Sequence, residues 1–127
     1  MFDRLSAYAP QALAVLRIVT ALLFLLHGTQ KVLGFPGMEG GTPPMMSLFG
    51  LAGIIEIVTS ILIILGFFTR PAAFVASGTM AVAYWMVHVG MGGIIPTSNG
   101  GDAAILFCFV FLYLVFAGPG AWSVNKK

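Results

Sequence analysis

The sequence predicts an all-α integral membrane protein, a four-helix bundle with both termini in the cytoplasm. Hydrophobic residues make up 59% of the 127 residues and charged residues only 8%. The mean hydropathy of +1.02 is far above that of soluble domains. Four apolar stretches have the length of roughly 20 residues that a helix needs to cross a bilayer. Because they use almost the whole chain, one membrane domain over residues 1–127 is expected.

The predicted spans cover about residues 10–33, 47–67, 71–89 and 102–117. The first span has no small-residue cleavage site after it, so it is interpreted as a retained helix and not as a secretory signal. A tight turn at residues 69–71 joins the second and third spans, and Pro71 suits the first turn of the helix that follows. Two Gly/Pro-rich connections, residues 34–44 and 90–101, join the other spans.

The orientation follows from the distribution of positive charge. An even number of spans puts both termini on one side, which carries four basic residues: Arg4, Arg70, Lys126 and Lys127. The opposite side has Lys31 at a helix end together with Glu39 and Asp102. Because cytoplasmic loops are enriched in Lys and Arg, both termini are predicted to be cytoplasmic.

Ionisable side chains inside a span are costly and are candidate functional groups. The first span carries a stripe with helical spacing, beside which Gln30 lies: Arg17, Thr20, Phe24, His27, Lys31 and Gly34. In the second span Glu56 is surrounded at helical spacing by Ala52, Gly53, Thr59 and Ser60. Small residues permit close helix approach, so Glu56 is predicted to face the bundle interior.

The third and fourth spans complete the predicted polar region. The third has a stripe of Ser77, Ala81, Tyr84 and His88, and the fourth begins with Asp102, beneath which Leu106, Phe109 and Tyr113 follow. Their depths place one polar group in the outer half of the bundle: His27, Gln30, Lys31, Glu56, His88 and Asp102. Side chains lean toward the N-terminus of their helix, so Glu56 is expected to pair with Lys31 or His27 in preference to Arg17.

Each of these residues also has a plainer interpretation. Lys31 can snorkel to the interface, and His88 can lie in an aromatic belt with Tyr84 and Trp85. Asp102 can simply favour the N-terminus of its helix. Arg17 can join helices or reach anionic head groups.

Three functions fit the predicted polar pocket. In the first, a quinone head group lies between Phe24, Tyr84 and Trp85, and His27, Lys31 and Glu56 transfer protons. Arg17, Gln30, His88 and Asp102 are further candidate binding residues. In the second, His27 and His88 bind haem b or, with Glu56 and Asp102, a divalent metal; two histidines without a fixed spacing disfavour this, and no metal site is expected. In the third, the bundle is a membrane anchor, an assembly subunit or a small-molecule transporter.

Several classes of function are not expected. The single Cys108 rules out an internal disulfide and a CxxC redox pair. The net charge of +2 is too small and scattered for a nucleic-acid-binding protein. No nucleotide-binding or nucleophile motif supports catalysis by this chain alone, which leaves the role of an oxidoreductase subunit open.

The motifs resemble those of the DoxX family over nearly the whole chain. The matching positions are Leu16-Arg17-Ile18, His27-Gly28, Lys31, Gly34, Leu51-Ala52-Gly53, Glu56, Gly66, Thr69-Arg70, Gly100-Gly101-Asp102, Gly118-Pro119-Gly120 and Ser123. Two positions depart from the family pattern, since Asp102 stands where the family more often has Glu and Asn125 where an acidic residue is usual. The second departure puts a role for the C-terminal tail in doubt.

The resemblance implies a multi-pass protein of a bacterial or archaeal inner membrane, related to the small membrane subunits of thiosulfate:quinone oxidoreductase. Other members of the family are linked to oxidative and thiol stress complexes. The implied partners are the lipid bilayer and either other protein subunits or further copies of the chain. The polar motifs that match are His27, Lys31, Glu56, Arg70 and Asp102, of which Arg70, like Gly53, is expected to have a structural role.

Overall fold

A computed structural model describes residues 2–34, 48–96 and 100–127, and within these residues every regular element is helical. A 3-10 helix, Phe2–Tyr8, leads into α1. The four main helices are α1 (Ala9–Leu33), α2 (Leu48–Leu65), α3 (Thr69–Ala83) and α4 (Asp102–Ala117). α3 continues through a π-helical turn, Tyr84–His88, into a short α-helix, Val89–Gly92. The predicted all-α class with four helices is therefore confirmed for the described residues.

Local backbone geometry sets the helix ends. α1 begins with Pro10 in its first turn and ends at Gly34, which has a left-handed φ of 74°. α2 ends at Leu65, two residues before Phe67, where the second span was predicted to end. The helix stops there because Gly66 and Phe68 take left-handed φ angles of 70° and 49°. Ser47, where the second span was predicted to begin, and Glu39 lie outside the described residues.

The third helical rod is longer than predicted and contains a turn that the sequence pattern did not reveal. It begins at Thr69, with Pro71 in its first turn, and reaches Gly92. A π turn inserts one extra residue into an α-helix. The side chains on its two sides therefore point in different directions than they would in a regular α-helix. Within the turn Tyr84 is buried while Trp85 is 61% exposed.

The helices pack mainly as two pairs, α1 with α2 and α3 with α4, and α2 joins the pairs through α3. In the core the ring of Phe24 lies 5.3 Å from that of Phe107 and 4.8 Å from that of Phe111. Between α3 and α4, the Ser77 hydroxyl donates a 2.8 Å hydrogen bond to the carbonyl of Cys108. These contacts hold the four helices around a common interior.

The predicted inner face of the fourth helix is wrong. Leu106, Phe109 and Tyr113 are more than half exposed, and the buried face carries Ala104, Phe107, Phe111 and Leu114. α4 is apolar on all sides, so hydrophobic periodicity gave no signal for its inner face. The predicted face had been counted at helical spacing from Asp102 alone, and this gave the wrong face.

The described residues combine several buried polar side chains with a largely apolar exposed surface. Fully or nearly buried polar residues include Arg17, Thr20, Glu56, Thr59, Ser60, Thr69 and Ser77, whereas many Leu, Val, Ile and Phe side chains are exposed. Soluble monomers rarely expose large contiguous apolar surfaces, and lipid accepts them. By length and composition, the helical stretch Phe2–Leu33 alone among the described residues qualifies as a membrane span, and Gly50–Leu65 and Asp102–Ala117 are shorter apolar helices.

The C-terminal tail, residues 118–127, closes one end of the bundle. Its backbone N–H groups at Ala121 and Val124 donate to the carbonyls of Pro10 and Leu65, both at 3.0 Å. The Asn125 side-chain oxygen accepts hydrogen bonds from the N–H groups of Phe68 and Lys127. Asn125 therefore ties the tail to the start of α3.

Arg17 anchors this tail and does not belong to the predicted polar pocket. Its guanidinium is completely buried and donates to the tail carbonyls of Pro119, Ala121 (3.0 Å) and Trp122 (2.9 Å). Along α1 it lies 14 residues from Lys31, or about 21 Å at 1.5 Å per residue. Arg17, a candidate binding residue in the sequence, therefore lies far from the polar group of Lys31 and His27, and its donors are used by the tail at the opposite end.

Replacing Arg17 by Met is expected to lower the free energy of unfolding by about 3 kcal/mol, since several buried carbonyls lose a charged donor. Unfolding in mixed detergent and sodium dodecyl sulfate micelles measures this change. Arg4→Met is the matched control, because Arg4 is exposed near the start of the chain. Equal stability of the two variants would show that Arg17 does not hold the tail.

Candidate functional site

A buried ion pair joins α1 to α2. The Lys31 ammonium lies 2.8 Å from Oε1 of Glu56 and donates a hydrogen bond to it. The Glu56 side chain is completely buried, and the Lys31 side chain is 17% exposed. Oε2 of Glu56 is also buried and has no hydrogen-bond partner among the described residues. One carboxylate oxygen is thus used by Lys31, and the second is left for another donor.

Two glycines bring the helices close enough for this pair to form. A Cβ atom on Gly28 of α1 would lie 2.9 Å from the carbonyl oxygen of Gly53. A Cβ atom on Gly53 of α2 would lie 2.8 Å from the Cβ atom of Lys31. Small residues at facing positions allow helix backbones to approach in membranes. The contact between Gly28 and Gly53 therefore sets the helix separation at which Lys31 reaches Glu56.

The hydroxyl groups beside Glu56 do not satisfy its carboxylate. Thr59 donates to the carbonyl of Ile55 at 2.7 Å, and Ser60 donates to the backbone carbonyl of Glu56 itself. Ser and Thr commonly bond to a carbonyl one turn back in their own helix. Their hydrogen atoms are therefore committed to the backbone, which keeps Oε2 of Glu56 available.

The polar cavity, of about 240 Å³, lies beside this ion pair and takes residues from all four helical rods. Its wall consists of His27, Lys31, Glu56, Met80, Ala83, Val87, His88, Gly100, Ala103 and Ala104. Nδ1 of His27 lies 2.8 Å from the carbonyl of Leu23, so this nitrogen carries the hydrogen atom. In the neutral ring Nε2 is then an acceptor. The cavity combines a carboxylate, an ammonium and two imidazoles.

A second, apolar space runs beside the polar cavity. The α2–α3 groove, of about 880 Å³, is lined by Lys31, Leu51, Ala52, Ile55, Gly78, Thr79, Val82, Ala83, Met86, Val87 and Gly90. Lys31, Ala83 and Val87 line both spaces. The polar cavity and the α2–α3 groove therefore adjoin at Lys31.

The structure brings together only part of the predicted set. His27, Lys31, Glu56 and His88 line the polar cavity. Asp102 is exposed at the start of α4, and the neighbouring Ala103 and Ala104 face the cavity instead. Gln30 is half-buried on α1 outside the cavity wall. Arg70 lies with the C-terminal tail, where its N–H donates to the carbonyl of Lys127 at 3.1 Å.

The predicted aromatic residues do not flank the polar cavity. Phe24 is buried in the core against Phe107 and Phe111. The Tyr84 hydroxyl donates to the carbonyl of Ile94, and Trp85 is exposed. A head group enclosed between Phe24, Tyr84 and Trp85 is thus inconsistent with this geometry, because Phe24 packs against Phe107 and Phe111 and none of the three side chains lines the polar cavity.

Sequence reasoning missed the apolar part of the cavity wall. Met80, Ala83 and Val87 come from the α3 rod, and Gly100 precedes α4. The small residues near His88 and Asp102 in the sequence could have indicated this part of the wall, because a cavity forms where small side chains lie beside polar ones. Within the described residues, no three His, Cys, Asp or Glu side chains converge as ligands for a metal ion.

The helical fold, polar interior and apolar surface define an integral membrane protein, and comparison with known proteins supplies the family. The DoxX family model matches residues 12–89, more than half of the chain. The chain belongs to the DoxX family. The matched residues include His27, Lys31 and Glu56, while α4 and the C-terminal tail lie beyond the match.

Full-length relatives agree with this assignment. An uncharacterized protein of Haemophilus influenzae is 50% identical, with 98% of this chain and 96% of that protein aligned. The inner membrane protein YphA of Escherichia coli is 30% identical, with 96% and 94% aligned. An uncharacterized membrane protein of Mycobacterium tuberculosis is 26% identical, with 97% and 85% aligned. No solved structure matches the chain at a significant level.

Gly28→Ala and Gly53→Ala are each expected to lower the free energy of unfolding by about 1–3 kcal/mol, because the new methyl group overpacks the contact between α1 and α2. Thermal unfolding in detergent measures the effect. Gly90→Ala is the matched control, since a Cβ atom there meets nothing within 4 Å. If Gly28→Ala and Gly90→Ala have the same midpoint of thermal unfolding, the close approach of α1 and α2 at Gly28 does not contribute to stability.

Proposed function

We propose that the protein binds a quinone head group in the polar cavity, as a subunit or accessory of a quinone-linked redox system in the inner membrane. The observation that carries this proposal is the buried Glu56 carboxylate. One of its oxygens is paired with Lys31, the other has no hydrogen-bond partner among the described residues, and Glu56 belongs to the wall of the polar cavity. A buried acceptor without a donor is costly. A neutral ligand with a hydroxyl group supplies that donor.

The side chains of the polar cavity suit the protons that accompany quinone reduction. Reduction of a quinone to the hydroquinone takes up two electrons and two protons. Glu56, Lys31 and His27 are titratable groups that can hold and pass those protons. The electrons come from a partner oxidoreductase, with thiosulfate or a thiol as the reductant. This chain therefore supplies binding and protons, and the partner supplies electron transfer.

The size of the polar cavity limits what it can hold. Its 240 Å³ is below the range of about 300–1,000 Å³ typical for drug-sized ligands. At about 30 Å³ for each water molecule, it holds the volume of roughly eight waters. A single substituted ring is compatible with that volume, and a haem group is not.

A purely structural role of the ion pair is the second candidate. Lys31 and Glu56 connect two helices at their closest approach, and such a pair alone can hold α1 against α2. In that case the chain serves as an anchor or assembly subunit. Removing one charge of the pair leaves the other buried without a partner, whereas removing both charges together avoids that cost. The double change can therefore distinguish loss of ligand binding from loss of folding.

We further propose four membrane spans formed by α1, α2, the α3 rod and α4, with both termini cytoplasmic. Arg70 and Lys127 are joined by a backbone hydrogen bond at the end that the C-terminal tail closes. Arg4 precedes α1 at that same end. The positive-inside rule therefore favours a cytoplasmic location for the tail and an outer location for the polar cavity.

Alkaline phosphatase fusions test this topology, since the enzyme is active only after export. Fusions after Phe68 and after Lys127 are expected to be inactive, and a fusion after Ile95 is expected to be active. A green fluorescent protein fusion at Lys127 provides the reciprocal signal in the cytoplasm. Phosphatase activity at Lys127 would contradict an even number of spans with cytoplasmic ends.

Glu56→Gln is expected to weaken binding of a soluble quinone analogue by about ten- to a hundredfold, because the charged acceptor of its hydroxyl group is lost. Equilibrium dialysis of the purified protein in detergent, with the reduced analogue, measures the change. Thr59→Val is the matched control: Thr59 is buried on the same helix, and its hydroxyl bonds to the carbonyl of Ile55.

The double variant Lys31→Met with Glu56→Met separates ligand binding from assembly. With both charges gone, the protein is expected to accumulate and fold, and still to bind no quinone. If the double variant binds quinone like the unchanged protein, the proposed site is wrong. If both charge variants, Glu56→Gln and the double variant, bind quinone normally and only complex formation fails, the assembly function replaces the quinone function.

A further inference from the structure

We propose that the α2–α3 groove holds the isoprenoid tail of the quinone whose head group occupies the polar cavity. This inference rests on the proposed function and adds a second subsite with a different chemistry. A membrane quinone has a small polar ring on a long hydrocarbon tail. The protein has a small polar cavity that adjoins a larger apolar groove.

The two spaces share part of their walls. Ala83 and Val87 on the α3 rod, together with Lys31, line both the polar cavity and the α2–α3 groove. The Lys31 ammonium is bonded to Glu56, so the shared wall is electrically balanced. A ligand that places its ring beside Glu56 can therefore run its tail past Lys31 into the groove without exposing a charge to hydrocarbon.

The groove offers almost nothing to a polar ligand. Its walls are mainly aliphatic, including Leu51, Ile55 and Val82. The Thr79 hydroxyl, which also lies in the wall, is committed to the carbonyl of Val75 at 2.8 Å. The chemistry of the groove therefore matches a hydrocarbon chain.

The charge at the junction selects a neutral head group over a phospholipid. A phosphate next to Glu56 would be repelled by the carboxylate, and Lys31 is already paired with Glu56. Anions bind where unpaired cations or helix N-termini are available. A neutral quinone ring meets no such repulsion, so the tail in the groove is assigned to a quinone and not to a phospholipid.

Two glycines keep the groove open. A Cβ atom on Gly78 or on Gly90 would meet no atom within 4 Å. Both glycines line the groove, and they lie 12 residues apart on the α3 rod, which corresponds to roughly 18 Å. A larger side chain at Gly78 therefore fills the groove without disturbing packing inside the protein.

Chain-length dependence of quinone binding tests the proposal. The purified protein in detergent is titrated anaerobically with the hydroquinone form of 2,3-dimethoxy-5-methyl-1,4-benzoquinone, which has no tail, and with the hydroquinone form of its 6-decyl analogue. Free concentrations are corrected for partition of the decyl compound into micelles. Both titrations are repeated with Gly78→Leu and with Val75→Phe, a control that adds bulk at an exposed α3 position outside the groove wall.

The unchanged protein and Val75→Phe are expected to prefer the decyl analogue by about tenfold, since the tail packs in the groove while detergent already shields it from water. Gly78→Leu is expected to lose this preference and to bind the tailless compound normally. If Gly78→Leu does not fold, Gly90→Leu fills the other end of the groove and carries the same expectation.

Each contrary result overturns a distinct statement. An unchanged decyl preference in Gly78→Leu removes the tail subsite and leaves the proposed function in place. Failure of the tailless compound to bind the unchanged protein removes the proposed function. Displacement of the decyl analogue by a phospholipid at equal concentration identifies the groove as a lipid site. A dimer that Gly78→Leu dissociates identifies the occupant as a second copy of the chain.

Discussion

The burial of Glu56 between α1 and α2 constrains the rest of the structure, because a carboxylate buried among apolar helices is tolerated only with a partner, here Lys31. Burial removes both groups from water, and low polarity strengthens their attraction in return. The pair forms only where α1 and α2 approach at Gly28 and Gly53. Helix packing, charge pairing and the position of the polar cavity are therefore consequences of one contact.

The two ends of the bundle handle buried charge in different ways. Arg17 is neutralised by no described carboxylate and donates to tail carbonyls, which are neutral. An arginine does not release its proton in proteins, so this end is suited to fixed structure. At the other end Lys31 and Glu56 pair with each other in the wall of the polar cavity. A buried positive charge is thus met by backbone carbonyls at one end and by a carboxylate at the other.

The sequence predicted what side-chain patterns encode. Long apolar runs located the helices, and the small residues around Glu56 indicated that it faces α1, where the structure pairs it with Lys31. Three features escaped prediction for physical reasons. α4 is apolar on every side, the π turn at Tyr84–His88 depends on packing, and the partners of Arg17 are backbone carbonyls that no side-chain pattern reveals.

The α3 rod lines two spaces, and the π turn lies between them. A regular α-helix presents a given stripe to one neighbour, whereas an added residue turns the following side chains toward a different surface. In the α3 rod His88 faces the polar cavity, Met86 faces the groove, and Val87 between them lines both. Ala83, which precedes the π turn, also lines both spaces, so this part of the α3 rod forms the boundary between a polar and an apolar space. A ligand with one polar and one apolar part, lying across that boundary, contacts both faces of the same short segment.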